Sequence, residues 1–317
     1  MSRPRQVVDQ GPTPEPVRRI DAARALWRFP VSAPFLGRRL LGAVVAIWGA
    51  VSVVFVILLG TGNPAQAMAA EDATAEEVAA LAQAYGFDRP LWVQYLLFLR
   101  SAVSLDFPKS LYTDVPAFSM VLERLPATLL LSGMALLIGT TVGLTAGYLA
   151  AGGGALWRVL PVRVLLAVQS TPSFFLGLVL ILVFGISLRW LPTSGSGTWG
   201  HLVLPAATLS AYVAPNIARL FWTTLREAAT EDHVLTAVAK GVSARRVRLS
   251  HVALNAMGPV TALIGLQAGA LLGGAIVTEA VFAWPGVGNL LVRSVSTRDY
   301  PVVLATVVFI CLAFVLA

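Results

Sequence analysis

The sequence predicts an all-α, polytopic membrane protein with about six transmembrane helices, and three observations carry that expectation. Hydrophobic residues make up 57% of the 317 positions and charged residues 12%, against about 25% charged in an ordinary soluble domain, so a conventional polar surface cannot be built. Six segments, residues 40–59, 125–151, 164–188, 202–218, 252–278 and 301–317, contain no Asp, Glu, Lys or Arg. About 20 such residues in a helix cross the hydrocarbon core; the fourth and sixth segments are short. Finally, 16 Lys and Arg fall on the side of the N-terminus and 7 on the other, and basic flanks are retained in the cytoplasm.

Residues 1–35 read as a cytoplasmic tail, with six prolines among scattered charges that suit an extension better than a domain. The first span is too long, and begins too far into the chain, for a signal peptide. Residues 36–317 form the transmembrane domain. Its loop 61–124, with Glu71, Asp72, Glu76, Glu77 and Asp88, falls outside, and loop 219–251 falls in the cytoplasm. The net charge of +7 sits at span ends and not on one polar domain, which speaks against a nucleic-acid partner. Cys311 is alone and forms no intrachain disulfide. The sixth segment runs to Ala317 without a polar tail, so the natural chain is expected to continue.

Spans two and five carry glycine at fourfold spacing, Gly139, Gly143 and Gly147, then Gly265, Gly269 and Gly273. Such rows let helix backbones approach closely, although glycine is also simply common in membrane spans. Gln169, Ser170, Asn216 and Gln267, near Pro172 and Pro215, are the few polar residues inside spans. They either line a pathway or make single interhelical hydrogen bonds.

The 219–251 loop reads as two short helices broken at Gly241. Thr224 stands in capping-box spacing before Glu227, and Ser243 can cap a helix starting at Ala244. Val234, Leu235 and Val238 form an apolar face opposite Glu231, Asp232 and Lys240, a pattern that serves equally for docking on a soluble partner or lying on the bilayer surface. Glu279 to Gly288, with Trp284-Pro285-Gly286, requires a sharp turn at the outer interface. There is no phosphate-binding loop, no nucleophile elbow, no His-Glu-x-x-His, and His201, His233 and His251 are scattered, so a catalytic or metal centre is not expected.

Several stretches carry a resemblance. Asp232, Thr236-Ala237-x-Ala239-Lys240-Gly241, Arg245-Arg246, His251, Asn255 and Pro259 look like the cytoplasmic loop of ATP-binding-cassette importer permeases of the dipeptide/oligopeptide and nickel transport family. Residues 85–95, Arg124-Leu-Pro-Ala-Thr128, Ser170-Thr-Pro-Ser-Phe174, Leu191-Pro-Thr-Ser-Gly195, Glu279-Ala-Val-Phe282-Ala-Trp284-Pro285-Gly286-Val-Gly288 and Arg298-Asp-Tyr-Pro301 resemble other parts of that family, together covering residues 36–317. His233 stands where the family usually has Tyr, Val238 where a basic residue is common and Pro108 where Gly is usual, and the family's Asp-Pro-Arg ending is absent.

The resemblance implies a type I importer permease fold in the bacterial cytoplasmic (inner) membrane, pairing with a homologous permease. It implies two ATPase subunits, which bind the ATP and Mg, and an extracytoplasmic solute-binding protein; no cofactor belongs to this chain. Asp232, Leu235, Thr236, Ala237, Ala239, Lys240, Gly241, Arg245 and Arg246 would couple to the ATPase, with 235–237 as the core. Glu279 to Gly288 would close the pathway outside. The rival reading is a secondary transporter or channel complete in itself, which would favour an ionisable residue within a span. A membrane-embedded enzyme would need the constellation that is missing.

Overall fold

In the computed structural model the described residues are 33–60, 65–66, 69, 73–152 and 156–316. The expectations for residues 1–32, Glu71, Asp72 and Ala317 lie outside them. The chain divides into two compact units, Met1–Ala46 and Ile47–Ala317. Of the first, the described part is the opening half of helix α1 (Ala33–Gly60).

In the second unit α1 is followed by α2 (Ala75–Tyr85) and α3 (Leu91–Ser104). Thr74 starts α2 by a reciprocal capping box with Glu77, and Gly86, at φ +73°, ends it, which satisfies backbone groups a helix end leaves orphaned. Then come α4 (Ala117–Ala151), α5 (Leu156–Gln169) and α6 (Ser173–Leu180), the last continuing as a π-helical stretch over Ile181–Ser187. The long α7 (Trp199–Ala228) leads into the short α8 (Asp232–Ala239). One turn, α9 (Ala244–Arg246), passes through π-helical Val247–Val252 into α10 (Ala253–Gly274). Next are α11 (Ile276–Val281), α12 (Val287–Ser296) and α13 (Tyr300–Leu316). The fold is that of an all-α polytopic membrane protein, and among the described residues the one β feature is an isolated bridge between Lys109 and Pro116.

Three stretches are long and apolar enough to cross a membrane, Gly37–Ile57, Ala117–Ala151 and Ala244–Gly273, and a fourth if the bent pair Val159–Gln169 and Ser173–Ser187 counts as one. Length and hydropathy thus account for three or four crossings among the described residues, fewer than the six expected. Tyr300–Phe314 is shorter, and α7, the most internal helix, carries Pro205, Ser210, Pro215 and Asn216 along a largely buried length. The segment 164–188 is also not the one straight span expected: it bends by 107° at Ser170-Thr171-Pro172, where proline has no amide hydrogen to donate and disfavours a helical conformation in the residue before it.

The largest core runs along α4, α7 and α10, from Leu131 and Leu209 through Ile217 and Phe221 to Val252 and Val260. A second core gathers the end of α1, α3, the start of α4, α12 and α13 around Val51, Phe98, Val121, Val287 and Val302. Many large apolar side chains remain exposed, Val44, Val56, Leu137, Leu182, Leu254 and Leu266 among them, as expected where the surrounding solvent is lipid.

Candidate functional site

Helix α7 does not stop at Thr224. That hydroxyl lies inside the helix and donates back to the carbonyls of Leu220 (3.0 Å) and Phe221 (3.2 Å), so the capping box expected with Glu227 is absent. After Ala228 the chain turns, and Glu231 occupies the N-cap of α8 in extended conformation without a side-chain cap. The far end is closed by backbone alone. Gly241 N–H donates to Val238 O (2.9 Å) and Val242 N–H to Ala237 O (3.1 Å), with Gly241 at φ +75°. This double bond pattern is a Schellman closure, and the positive φ is why glycine stands there.

The second loop helix is not a separate short one: it begins at Ala244 as expected, but Ser243 makes no side-chain cap, and it runs on into α10. The apolar face of α8 is divided. Val234 and Ala237 are buried with Leu225, Ala228, Val247 and Val252, whereas Leu235 is 62% and Val238 58% exposed. Asp232, Thr236, Ala239, Lys240, Gly241, Arg245 and Arg246 share the exposed surface, so Ala237 alone among the named coupling residues points inward. His233 also faces its own chain. Its Nδ1 lies 3.1 Å from Glu231 Oε2, and its Nε2 lies 2.8 Å from Asn255 Nδ2 and 3.4 Å from His251 O. Arg248 donates to Tyr148 O (2.9 Å) and sits 4.4 Å over the Tyr148 ring, tying the loop to the end of α4.

Within the apolar helices, the first glycine row marks a backbone-to-backbone seam. A Cβ on Gly139 would lie 2.6 Å from Val213 Cβ, on Gly143 2.7 Å from Ala214 O, and on Gly147 2.7 Å from Ala218 O, so α4 and α7 pack too closely for any side chain. The second row is mixed: Gly265 has nothing within 4 Å, Gly269 is buried, and a Cβ on Gly273 would meet the Phe314 ring at 3.0 Å. At the break between α5 and α6, Gln169 donates to Asn216 Oδ1 (3.2 Å) and Asn216 donates to Tyr212 O (3.0 Å). The Tyr212 hydroxyl donates to Thr171 O, giving a carbonyl freed by the break a partner on α7. Ser170 is exposed and donates to Leu166 O (3.3 Å). Gln267, half-buried on α10, is not part of this network.

The Glu279 segment folds into a knot. Glu279 is fully buried, and its carboxylate accepts from Thr128 Oγ1 of α4 (2.8 Å) and from the backbone N–H groups of Gly288 (2.7 Å) and Asn289 (3.1 Å) in the first turn of α12. Thr128 in turn accepts from Val287 N–H (2.8 Å). A carboxylate at a helix N-terminus is favoured by the orphan amides and the helix dipole; burial nevertheless raises its pKa above the ordinary carboxylate value, opposed by these three bonds. A Cβ on Gly286 would overlap the Glu279 carboxyl atoms, and one on Gly288 would lie 2.5 Å from Ile276 Cα. Trp284, which follows Ala283 at φ +47°, donates from Nε1 to Ala127 O (2.9 Å), and Asn289 Nδ2 donates to Trp284 O (2.8 Å). Phe282 is buried and its carbonyl accepts from Gly195 N–H (2.8 Å). Thr128 and Asp299 lie within stretches that carry the family resemblance, but no local pattern assigns either a role. Asp299, also buried, accepts from Ser110 Oγ (2.5 Å) and Leu111 N–H (3.3 Å), fixing the 105–116 segment to the start of α13.

Among the described residues no three His, Cys, Asp or Glu side chains gather as a metal site. What the geometry offers is mechanical: an uncovered helix face on α8, a tight two-helix seam, a polar break and a knot around Glu279. Comparison with known proteins agrees. Residues 139–317 match the family described as binding-protein-dependent transport system inner membrane component, and residues 33–132 match its N-terminal companion. The glutathione transport system permease protein GsiC of Escherichia coli strain K12 is 39% identical over 285 residues, 88% of this chain and 92% of its own length. Its counterpart in Shigella dysenteriae shows the same identity and coverage, and that of Escherichia coli O6:H1 is 38% identical. The chain belongs to this family of inner-membrane permease subunits of ATP-binding-cassette importers, multi-pass proteins that transport and do not themselves catalyse a reaction.

Proposed function

We propose that this chain forms half of the translocation pathway of an ATP-driven importer of small peptides, glutathione and di- or oligopeptides being the solute class, and works by alternating access. In this reading a type I arrangement of six crossings has the N-terminal tail (1–35) and loop 219–251 in the cytoplasm and loop 61–124 outside, following the basic asymmetry of 16 to 7. A homologous permease completes the pathway, two ATPase subunits bind ATP and Mg inside, and a solute-binding protein delivers the solute outside. Gln169, Ser170, Asn216 and Gln267 face the solute path at some stage of the cycle. Gly139, Gly143, Gly147, Gly269 and Gly273 are packing positions within this chain and Gly265, open in this chain, one toward a neighbouring subunit, and the segment Glu279, Phe282, Trp284, Pro285, Gly286 and Gly288 closes the outer side. The solute class is supported by the glutathione transport for which the 39% identical relatives are named.

The observation that carries the reading is α8: one face is buried against α7 and the Val247–Val252 stretch, while Leu235 and Val238 stand uncovered beside Lys240, Arg245 and Arg246. Apolar side chains exposed at a polar loop, ringed by charge, are the anatomy of a docking surface. In transporter reconstituted with its ATPases, second permease and binding protein, Leu235→Glu and Val238→Glu should insert normally and lose ATP-driven uptake of labelled glutathione or dipeptide. Full uptake by both variants would overturn the coupling assignment. Uptake by this chain alone in liposomes would favour a self-contained secondary transporter.

A further inference from the structure

A cavity of about 280 Å³ lies outside all of the machinery described above. Its floor is aromatic and buried, made by Phe98, Phe107 and Tyr300, and Phe55 of α1 forms one wall. Its rim carries Leu97 and Tyr85, 42% and 46% exposed, and the exposed Arg89. Two features fix its setting. Phe55 belongs to the last turn of the apolar stretch Gly37–Ile57, and Tyr300 opens the apolar stretch Tyr300–Phe314, so the cavity sits where two apolar helices meet a polar segment. That is the level of the boundary between hydrocarbon and headgroups.

The lining chemistry selects the ligand. The amide of Gln94 already donates to Phe87 O (3.1 Å) and Arg89 O (2.8 Å), and the remaining walls are mostly rings, leucines and prolines. A peptide buried here would leave its backbone donors and acceptors without partners, a cost an alkyl chain does not carry. At the rim, the Arg89 side chain lies across Gly86, its Nε 3.4 Å from where a Cβ would stand, and no carboxylate among the described residues pairs with its guanidinium. A planar guanidinium at the mouth of an apolar slot suits a phosphate whose attached chain enters the slot. The volume is near the lower end of small-molecule sites, about 300–1,000 Å³, which fits one chain and not a whole lipid.

We propose that this cavity binds one acyl chain of an anionic phospholipid, with the phosphate on Arg89, wedging α3 against α1 and α13. The reading proposed above enters in one respect: loop 61–124 lying outside makes the lipid one of the outer leaflet. The site is independent of solute, so lipid retention tests it even where solute uptake fails.

The experiment uses the assembled transporter in nanodiscs of phosphatidylglycerol and phosphatidylcholine, with bound lipid counted by native mass spectrometry. Wild type should retain one phosphatidylglycerol that Ser101→Trp, filling the cavity, releases. Arg89→Gln should reduce the preference for phosphatidylglycerol over phosphatidylcholine at least several-fold while keeping a lipid bound. Inorganic phosphate at millimolar concentration should not displace the lipid; displacement would mean a free-anion site and refute the acyl-chain assignment. A second measurement needs no variant: phosphatidylglycerol with a photoreactive acyl chain should label peptides covering residues 83–111 and 300–304. Labelling confined to other segments, or unchanged retention in both variants, overturns the proposal. Loss of binding-protein affinity in Ser101→Trp with lipid retention intact would overturn it too, because the cavity would then receive a protein side chain.

Discussion

Gly286→Ala isolates the Glu279 knot with a single methyl group. Gly286 has φ −98° and ψ −177°, a conformation alanine adopts freely, so backbone strain contributes nothing and the effect is steric. The new Cβ overlaps Cδ, Oε1 and Oε2 of Glu279, and Glu279, fully buried and held by Thr128, Gly288 and Asn289, must leave its donors. Breaking a buried, hydrogen-bonded charge constellation costs about 3–5 kcal/mol. Glu279→Ala orphans the same three donors and should cost a similar amount, about 1–3 kcal/mol for each unsatisfied group at most. The double variant is the decisive one. With the carboxylate gone, the methyl group introduced at position 286 occupies vacated space, so the two losses should not add, and a coupling of about 3 kcal/mol is expected where independent sites would show none. Cys311 is the only cysteine and is half-buried in α13, so a thiol-reactive dye reports thermal unfolding of the purified protein. Each single variant should lower the midpoint by roughly 5–15 °C, and the double by no more than Glu279→Ala alone. Singles within about 1 °C of wild type, or strictly additive losses, would refute the argument.

Gly143→Leu should prevent α4 and α7 from closing, overpacking that costs about 1–3 kcal/mol or more, whereas Gly265→Leu, with nothing within 4 Å of its Cβ, should leave the melting of the purified chain unchanged. Equal destabilisation by both would sink the seam. Gly241→Val places a β-branched residue at φ +75°, at roughly 1–2 kcal/mol, and should abolish stimulation of ATP hydrolysis by loaded binding protein while membrane insertion persists; normal stimulation would contradict the linkage. Cysteines introduced at Ala75 and Gly197 in a Cys311→Ser background should react with a membrane-impermeant reagent in intact cells. One at Gly241 should not, and labelling there would invert the topology.

Local signals were well recorded in the sequence. Gly241 as a helix stop, Ala244 as the next start, though without the expected Ser243 side-chain cap, and the sharp turn at Trp284-Pro285-Gly286 are matters of a few neighbouring dihedrals. What failed was decided by partners far away. Thr224 has cap spacing, but the core beneath α7 holds the helix to Ala228, and the hydroxyl turns inward. Ala237 packs with Leu225, Ala228, Val247 and Val252 while Leu235 and Val238 stay uncovered, a division of the face that the loop's own pattern does not give. The break at 170–172 lies within a stretch free of Asp, Glu, Lys and Arg, and hydropathy carries no angle. Glu279 finds Thr128 across 151 residues, a pairing no local pattern encodes.

The glycine seam gives α4 and α7 a shared mechanics. A helix of 30 residues such as α7 is a rod about 45 Å long, so a tilt of about 10° at one end carries the other end through about 8 Å. Because Gly139, Gly143 and Gly147 bring the two backbones into contact along some two turns, α4 cannot slide or splay without opening that seam, and the pair tilts as one beam. One end carries α8 directly, and near the other end Ala127 and Thr128 hold the knot around Glu279. A displacement of one end of the pair is thereby carried along the rod to the other, a place far beyond the reach of any side chain in the loop.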